Sequence, residues 1–197
     1  MLEYHNIVQR GIFYHCMNIG FDLDKIFIDY PPFVPDKLID RLYKQKSDGV
    51  LLYRIPSKPE QILRIISHHP IFRPPLTENI KFVKELASKQ ENNNKYYLIS
   101  GRFGFLKTET QIILQKYNLD KIFDEMYFNF NNKQPHFFKN EIIRKLKIQL
   151  YVDDDLPLLR FLVTKHPRAK FFWLNKKYKE SLAKNLFAIR HLSEMLA

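Results

Sequence analysis

Asp22 and Asp24 stand two positions apart, directly after the apolar stretch Met17-Asn18-Ile19-Gly20-Phe21. A carboxylate pair so spaced can divide labour: one attacks an electrophile or holds a metal, and the other moves a proton. A second acidic group, Asp153-Asp154-Asp155, closes the run Ile148-Gln149-Leu150-Tyr151-Val152. A hydroxyl, Ser100, closes a third run, Tyr96-Tyr97-Leu98-Ile99, and is followed by Gly101 and Arg102. Acidic ends brought together repel one another, and a hard divalent cation with oxygen ligands, such as Mg²⁺, is the fitting counter-charge. With a hydroxyl and a lysine, that cation makes a cradle for a phosphoryl group in transfer.

For these groups to meet, the three apolar runs must be neighbouring strands that end at one edge. Short apolar runs stopping at polar residues read as buried parallel strands. Between them lie helical patterns: residues 77–86 with Ile80, Phe82, Val83 and Leu86 on one side, residues 107–117, and the helix opened by Pro135. A short strand over residues 125–128 and another at Phe171-Phe172-Trp173-Leu174 extend the sheet, and residues 156–165 read as helix despite Pro157. Residues 178–196 read as a terminal helix. Strand and helix in alternation predict a three-layer α/β/α, Rossmann-like parallel sheet, in which ligands sit outside the carboxyl ends of the strands.

Two proline-rich connectors, Tyr30-Pro31-Pro32-Phe33-Val34-Pro35 and the segment from Ser67 to Pro75, bracket a small, mainly helical insert. It holds a short helix over residues 37–46, an extended stretch over 49–55, and a helix capped by Ser57 with Glu60 in a capping box. The expected organisation is an N-terminal extension (1–16), a core (17–29 and 74–197) and a cap insert (30–73). Met17 is an alternative start, and an edge strand or short helix is the other reading of residues 1–16.

Of the 197 residues 45% are hydrophobic and 15% aromatic, which suits one folded domain with an insert and excludes a disordered chain. No run approaches the roughly 18 apolar residues of a membrane span. His5, Gln9 and Arg10 interrupt any leader-like stretch, so no membrane association and a cytoplasmic location are expected. The single cysteine, Cys16, agrees with that and is expected to be a small buried residue. A net charge of +11 points to an anionic partner, whether nucleic acid, a phosphorylated small molecule or a membrane surface, unless the Lys-rich composition reflects nucleotide bias, so charge alone does not choose among them. Nucleic acid is the weaker choice, since the 17 Phe and 11 Tyr fall mostly within strand and helix patterns. Trp173 reads as core, and a monomer or homodimer is expected.

The order of motifs resembles the haloacid dehalogenase-like (HAD) hydrolase superfamily, in its phosphatase branch with a small C1-type cap. Phe21-Asp22-Leu23-Asp24-Lys25-Ile26 looks like its first motif, an apolar strand then DxDx(T/V). Ser100 after its apolar strand matches the second, a lysine near a helix start the third, and Val152-Asp153-Asp154 the fourth. The resemblance implies a Mg²⁺-dependent phosphatase that hydrolyses a small phosphomonoester, a nucleotide or sugar phosphate, through an aspartyl-phosphate. Asp22 is then the nucleophile and Asp24 the acid and base. Ser100 binds the phosphoryl group, and the metal is held by Asp22, the main-chain carbonyl of Asp24, Asp153 and Asp154. From their place after Ser100, Gly101 and Arg102 are expected at the substrate, an exposed loop arginine being the other reading of Arg102. Asp155 is implied to cap a helix or to support the others.

Two lysines fit the third motif: Lys139, fourteen residues before Asp153 on a first helical turn, and Lys133, followed closely by Pro135. Lys139 is preferred. Lys25 stands where many members carry glycine, and either reshapes the turn or adds a charge over the phosphate. It also motivates the alternative of a catalytically weak or inactive binding protein for phosphorylated ligands or nucleic acid. Arg54, His68, His69 and Arg73 lie where a cap would select substrate, although packing is the preferred reading for each.

Overall fold

The computed structural model describes residues 16–32, 44–45, 51–88, 93–176 and 181–196. Strand β1 (Asn18–Phe21) lies in the middle of the sheet. It pairs in parallel with β4 (Lys95–Ser100) on one side and β6 (Leu150–Asp153) on the other. Outside them come β5 (Glu125–Phe128) next to β4, and β7 (Lys170–Leu174) and β9 (Leu186–Ile189) beyond β6. These six strands are all parallel, in the order β5-β4-β1-β6-β7-β9. The chain runs outward from β1 to β4 and β5, then returns to build β6, β7 and β9. The switch point, where such sheets open a crevice, therefore falls beside β1.

Period-two alternation splits the core between the two faces of the sheet. Ile19, Phe21, Leu98, Val152 and Phe172 pack with Val83 and Leu86 of α2 (Thr77–Ser88) and with Ile113 and Leu114 of α3 (Lys107–Lys116). Tyr97, Ile99, Tyr151 and Phe171 pack on the opposite face. There they meet Phe138, Ile142 and Ile143 of α4 (Pro135–Lys145) and Leu158, Leu159 and Leu162 of α5 (Leu156–Lys165). The expected three-layer α/β/α arrangement is thus present. Among the described residues no helix is long and apolar enough to cross a membrane.

Residues outside the three layers form a two-stranded antiparallel pair, β2 (Lys44–Gln45) with β3 (Leu52–Tyr53), and helix α1 (Lys58–Ser67). The Glu60 carboxylate accepts from the Ser57 amide at 2.9 Å, as the capping box requires. The chain leaves the core and re-enters it side by side: Asp29 N donates to Pro74 O (2.8 Å) and Leu76 N to Phe27 O (2.8 Å). The helix expected over 37–46 lies outside the described residues except at Lys44–Gln45, which are strand. Residues 1–15 also lie outside them.

Three expectations change. Residues 181–196 are not a helix but β8 (Ser181–Ala183), β9 and a 3₁₀ segment (Leu192–Leu196). The open edge of β7 offers backbone partners to Leu186–Ile189, and this pairing overrides a helix-favouring composition. β8 then folds back antiparallel on β9. Cys16 is exposed, with its thiol donating to Asn93 O at 2.7 Å, and Trp173 is only half-buried.

Candidate active site

The ladder from β6 continues one residue beyond β1, where Asp22 N donates to Val152 O at 3.0 Å. Phe21 is in register with Val152, so Asp22 leaves the sheet beside Asp153. One oxygen from each of Asp22, Asp153 and Asp154 lies within 4.8 Å of the others. Asp22 and Asp153 are buried. Lys139 enters from the first turns of α4, whose start packs against the strand-end glycine: a Cβ on Gly101 would lie 3.1 Å from Pro135 Cβ. Lys139 is only 3% exposed, and its ammonium bridges Asp22 Oδ1 (2.8 Å) and Asp153 Oδ2 (2.6 Å).

Three carboxylates around one ammonium leave an excess of negative charge. Burial, together with the neighbouring Asp153 and Asp24, pushes the Asp22 carboxyl up to about 7 against the pull of Lys139. Burial and the charges of Asp153, Asp22 and Asp155 hold Asp154 well above the usual carboxylate range. Burial opposes the charge on Lys139, yet Asp153 and Asp22 overcome it and raise its pKa well above the ordinary lysine value. Buried, acidic and all-oxygen, the donor set fits a hard divalent cation.

Tyr151 orients the cluster. Its hydroxyl donates to Asp153 Oδ2 (3.1 Å), and its ring passes over Gly20, where a Cβ would sit 2.8 Å from Tyr151 Cδ2. The alternation of β6 puts Tyr151 and Asp153 on one face, a signal from which the contact was readable. Asp155 caps α5 by accepting from Leu158 N (3.3 Å), and its amide donates to Asp153 Oδ1 (3.0 Å). Tyr53, from β3, donates to Asp155 Oδ2 (2.6 Å), and the Tyr53 main chain is held on both sides by the Gln134 amide. Trp173 Nε1 donates to Asp154 O (2.9 Å). Tyr53 and Trp173 carried no sequence signal for these contacts.

Asp24 is gripped separately. Arg102 forms a fork on it, Nε to Oδ2 at 2.8 Å and Nη2 to Oδ1 at 2.7 Å, and Arg73 Nη2 also donates to Oδ1. Burial disfavours the charged carboxylate, but the Arg102 and Arg73 guanidiniums win and hold Asp24 far below the usual range. His68 Nδ1 lies 2.7 Å from Arg64 O, and burial beside Arg73 and Arg102 keeps its ring neutral.

The remaining candidates fall in different places. Ser100 is buried at the end of β4, and its Oγ accepts from Arg102 N at 3.4 Å. Lys133 is half-exposed and pairs with Glu141 (2.6 Å), so of the two lysines Lys139 is the one among the carboxylates. Lys25 has φ 61°, the left-handed conformation for which glycine is suited, and pairs with Asp29 (2.9 Å) beside the Tyr30 ring. Lys25 thus holds the backbone conformation that a glycine would take there. Arg54 pairs with Glu60, and His69 is exposed.

No protein-family model matches the sequence, and no curated protein matches it. Among solved structures, the chain is similar to a haloacid dehalogenase-like family hydrolase from Xanthomonas campestris. The identity is 11%, covering 89% of this chain and 91% of that one, with a TM-score of 0.51. A HAD family enzyme from Bacteroides thetaiotaomicron, a variant in complex with magnesium and inorganic phosphate, also aligns at 11% identity. That alignment covers 83% of this chain and 96% of the other, with a TM-score of 0.49. With its central β1, six-stranded parallel order and flanking helices, the chain has the haloacid dehalogenase-like fold.

Proposed function

We propose that the protein is a Mg²⁺-dependent phosphatase for a small phosphomonoester, with Asp22 as nucleophile. The observation that carries this reading is the Lys139 ammonium shared between Asp22 and Asp153 in a buried, over-acidic cluster. Asp22, Asp153, Asp154 and the main-chain carbonyl of Asp24 would hold the metal, which when bound neutralises the cluster and orients phosphoryl oxygens. An Asp22 oxygen attacks phosphorus, and the bond from phosphorus to the ester oxygen breaks. The electron pair stays on that oxygen, which takes up a proton. Water then attacks the Asp22 acyl phosphate, releasing inorganic phosphate and restoring the carboxylate. Lys139, Ser100 and the adjoining Gly101 hold the phosphoryl oxygens; Asp24 handles the protons. Residues 30–73 act as the cap over this centre, and the setting is a reducing cytoplasm.

A second reading, a phosphoester-binding protein with little turnover, is favoured by one observation: two arginines hold Asp24 as a carboxylate. So held, Asp24 has no proton to give near neutral pH and is a weak base.

The test is hydrolysis of an aryl phosphate and an alkyl phosphate, with and without Mg²⁺, by the wild type and Asp22→Asn. Metal-dependent turnover of both esters, lost in the variant, is expected. Turnover of the aryl ester alone, whose leaving group needs no proton, supports the second reading. Activity that survives Asp22→Asn contradicts both uses of Asp22.

A further inference from the structure

Helix α1 presents its polar side to the protein and its apolar side to water. Gln61, Arg64, Ile65 and His68 recur at the spacing of one helical face, and this face is laid onto the molecule, with Arg64 and His68 buried. It rests against the turn Gly104–Leu106. The opposite stripe is Pro59, Ile62, Leu63 and Ile66, and its three large side chains are 60%, 67% and 54% exposed. A surface helix ordinarily does the reverse and buries its apolar stripe. The patch continues beyond the helix. Ile71, 74% exposed, follows in a tight segment where His69 N donates to Ile66 O (3.1 Å) and Phe72 N to His69 O (2.9 Å). Pro70 O accepts from Lys116 Nζ (3.4 Å) and Tyr117 OH (3.1 Å). Those bonds set Ile71 beside the end of α3, where Ile112, one turn before Lys116, is also exposed.

We infer that this face is the interface of a two-fold dimer, with α1 of a second copy as its occupant. Area and charge both favour a second copy over other partners. Each of the five exposed side chains presents roughly 100 Å², so a symmetric pair removes about 1,000 Å² of apolar surface in all, and its rim brings the contact into the range of a specific interface. The chain carries a net charge of +11, yet the charges bordering this face are few: Arg54 pairs with Glu60, Arg64 is turned inward, and Lys58 stands at the helix start. An acidic peptide, a nucleic acid or an anionic membrane would be met by basic side chains, whereas two copies of a strongly basic chain come together where charge is low. The helix has ten residues and spans about 15 Å, so one axis crossing it sets the whole stripe against its own copy, as an isologous contact requires.

The test is sedimentation equilibrium of the full chain at concentrations between about 1 and 100 μM, for the wild type and for Ile62→Glu combined with Leu63→Glu. The wild type is expected to dimerise with a Kd in the micromolar range, the weak end for such an area. The double variant opposes like charges across the axis and should weaken the dimer by at least about 100-fold, with its circular dichroism unchanged because both side chains are exposed. In a Cys16→Ser background, Leu63→Cys should be joined to its own copy by a short bis-maleimide. A wild type that stays monomeric throughout overturns the inference, whether or not the double variant folds. So does a dimer whose Kd the two glutamates leave unchanged, or one in which Leu63→Cys is not cross-linked. Binding of a monomeric wild type to vesicles of anionic lipid, lost in the double variant, gives the face to a membrane and also overturns it.

Discussion

Replacing Lys139 with Met should destabilise the protein in a way that depends on pH and is repaired by a divalent cation. Its ammonium bridges Asp22 (2.8 Å) and Asp153 (2.6 Å), and Asp154 completes the acidic cluster. Removing one partner from a buried ion pair costs about 3–5 kcal/mol, because charge is left uncompensated. For a chain of this size, each kcal/mol lowers Tm by roughly 2–4 °C, giving a loss of about 6–20 °C. The sign with pH follows from Asp22, whose carboxyl is raised from its ordinary value to about 7 even with Lys139 present. The folded state therefore binds more protons than the unfolded state between about pH 4 and 7, so this group's contribution falls as pH rises through that window. Without the ammonium the upper limit of the window moves higher. At pH 5 the carboxyls are protonated at little cost, which relieves the repulsion; at pH 8, further above the unfolded-state value, keeping those protons or bearing the charges costs more. Differential scanning calorimetry at both values should show the larger loss at pH 8, and Mg²⁺ at a hundredfold excess over its Kd should return about 2.7 kcal/mol there. An equal loss at both pH values without rescue by Mg²⁺ would refute the reasoning that Lys139 balances a cation-binding carboxylate cluster.

Further consequences are open to measurement. Mg²⁺ binding should release protons and strengthen from pH 6 to 8, since Asp22 and Asp154 both hold protons too tightly in the metal-free cluster; titration in buffers of different ionisation enthalpy counts them. Gly20→Val should cost about 1–3 kcal/mol in chemical denaturation, because even a Cβ there meets the Tyr151 ring at 2.8 Å. Tyr53→Phe deletes the hydrogen bond to Asp155 and should cost about 1.5–3 kcal/mol, with a weakened Mg²⁺ affinity if the Asp155 amide positions Asp153.

The chemistry-bearing strand ends were legible because each is a local pattern. Apolar runs stopping at Asp22, Ser100 and Asp153 mark buried parallel strands, and the alternation with helices places those ends together. Lys139 was singled out, over Lys133, only through the resemblance, which asks for a lysine near a helix start; the structure puts its ammonium between Asp22 and Asp153. What stayed hidden depends on distant pairing. Arg73 reaches Asp24 across 49 positions, and nothing local distinguishes it from the other basic residues of the connector. The 3% exposure of the Arg102 side chain is likewise a tertiary fact. Tyr151 lay within reach of strand alternation, whereas the contact of Trp173 with Asp154 did not. The last strands were missed because residues 181–189 become strand only when the open edge of β7 is available to pair with them. Lys25 was noticed as an unusual residue, but its left-handed φ of 61° is what explains why glycine suits that position.

The central claim is that Asp22 accepts a phosphoryl group. Rapid acid quench of the Mg²⁺-loaded protein during turnover of an aryl phosphate, followed by peptide mass mapping, addresses it directly. The account predicts one added phosphoryl group on the peptide containing Asp22, absent without Mg²⁺ and absent in Asp22→Asn. A phosphoryl group on any other residue, or turnover that persists in Asp22→Asn, would contradict it.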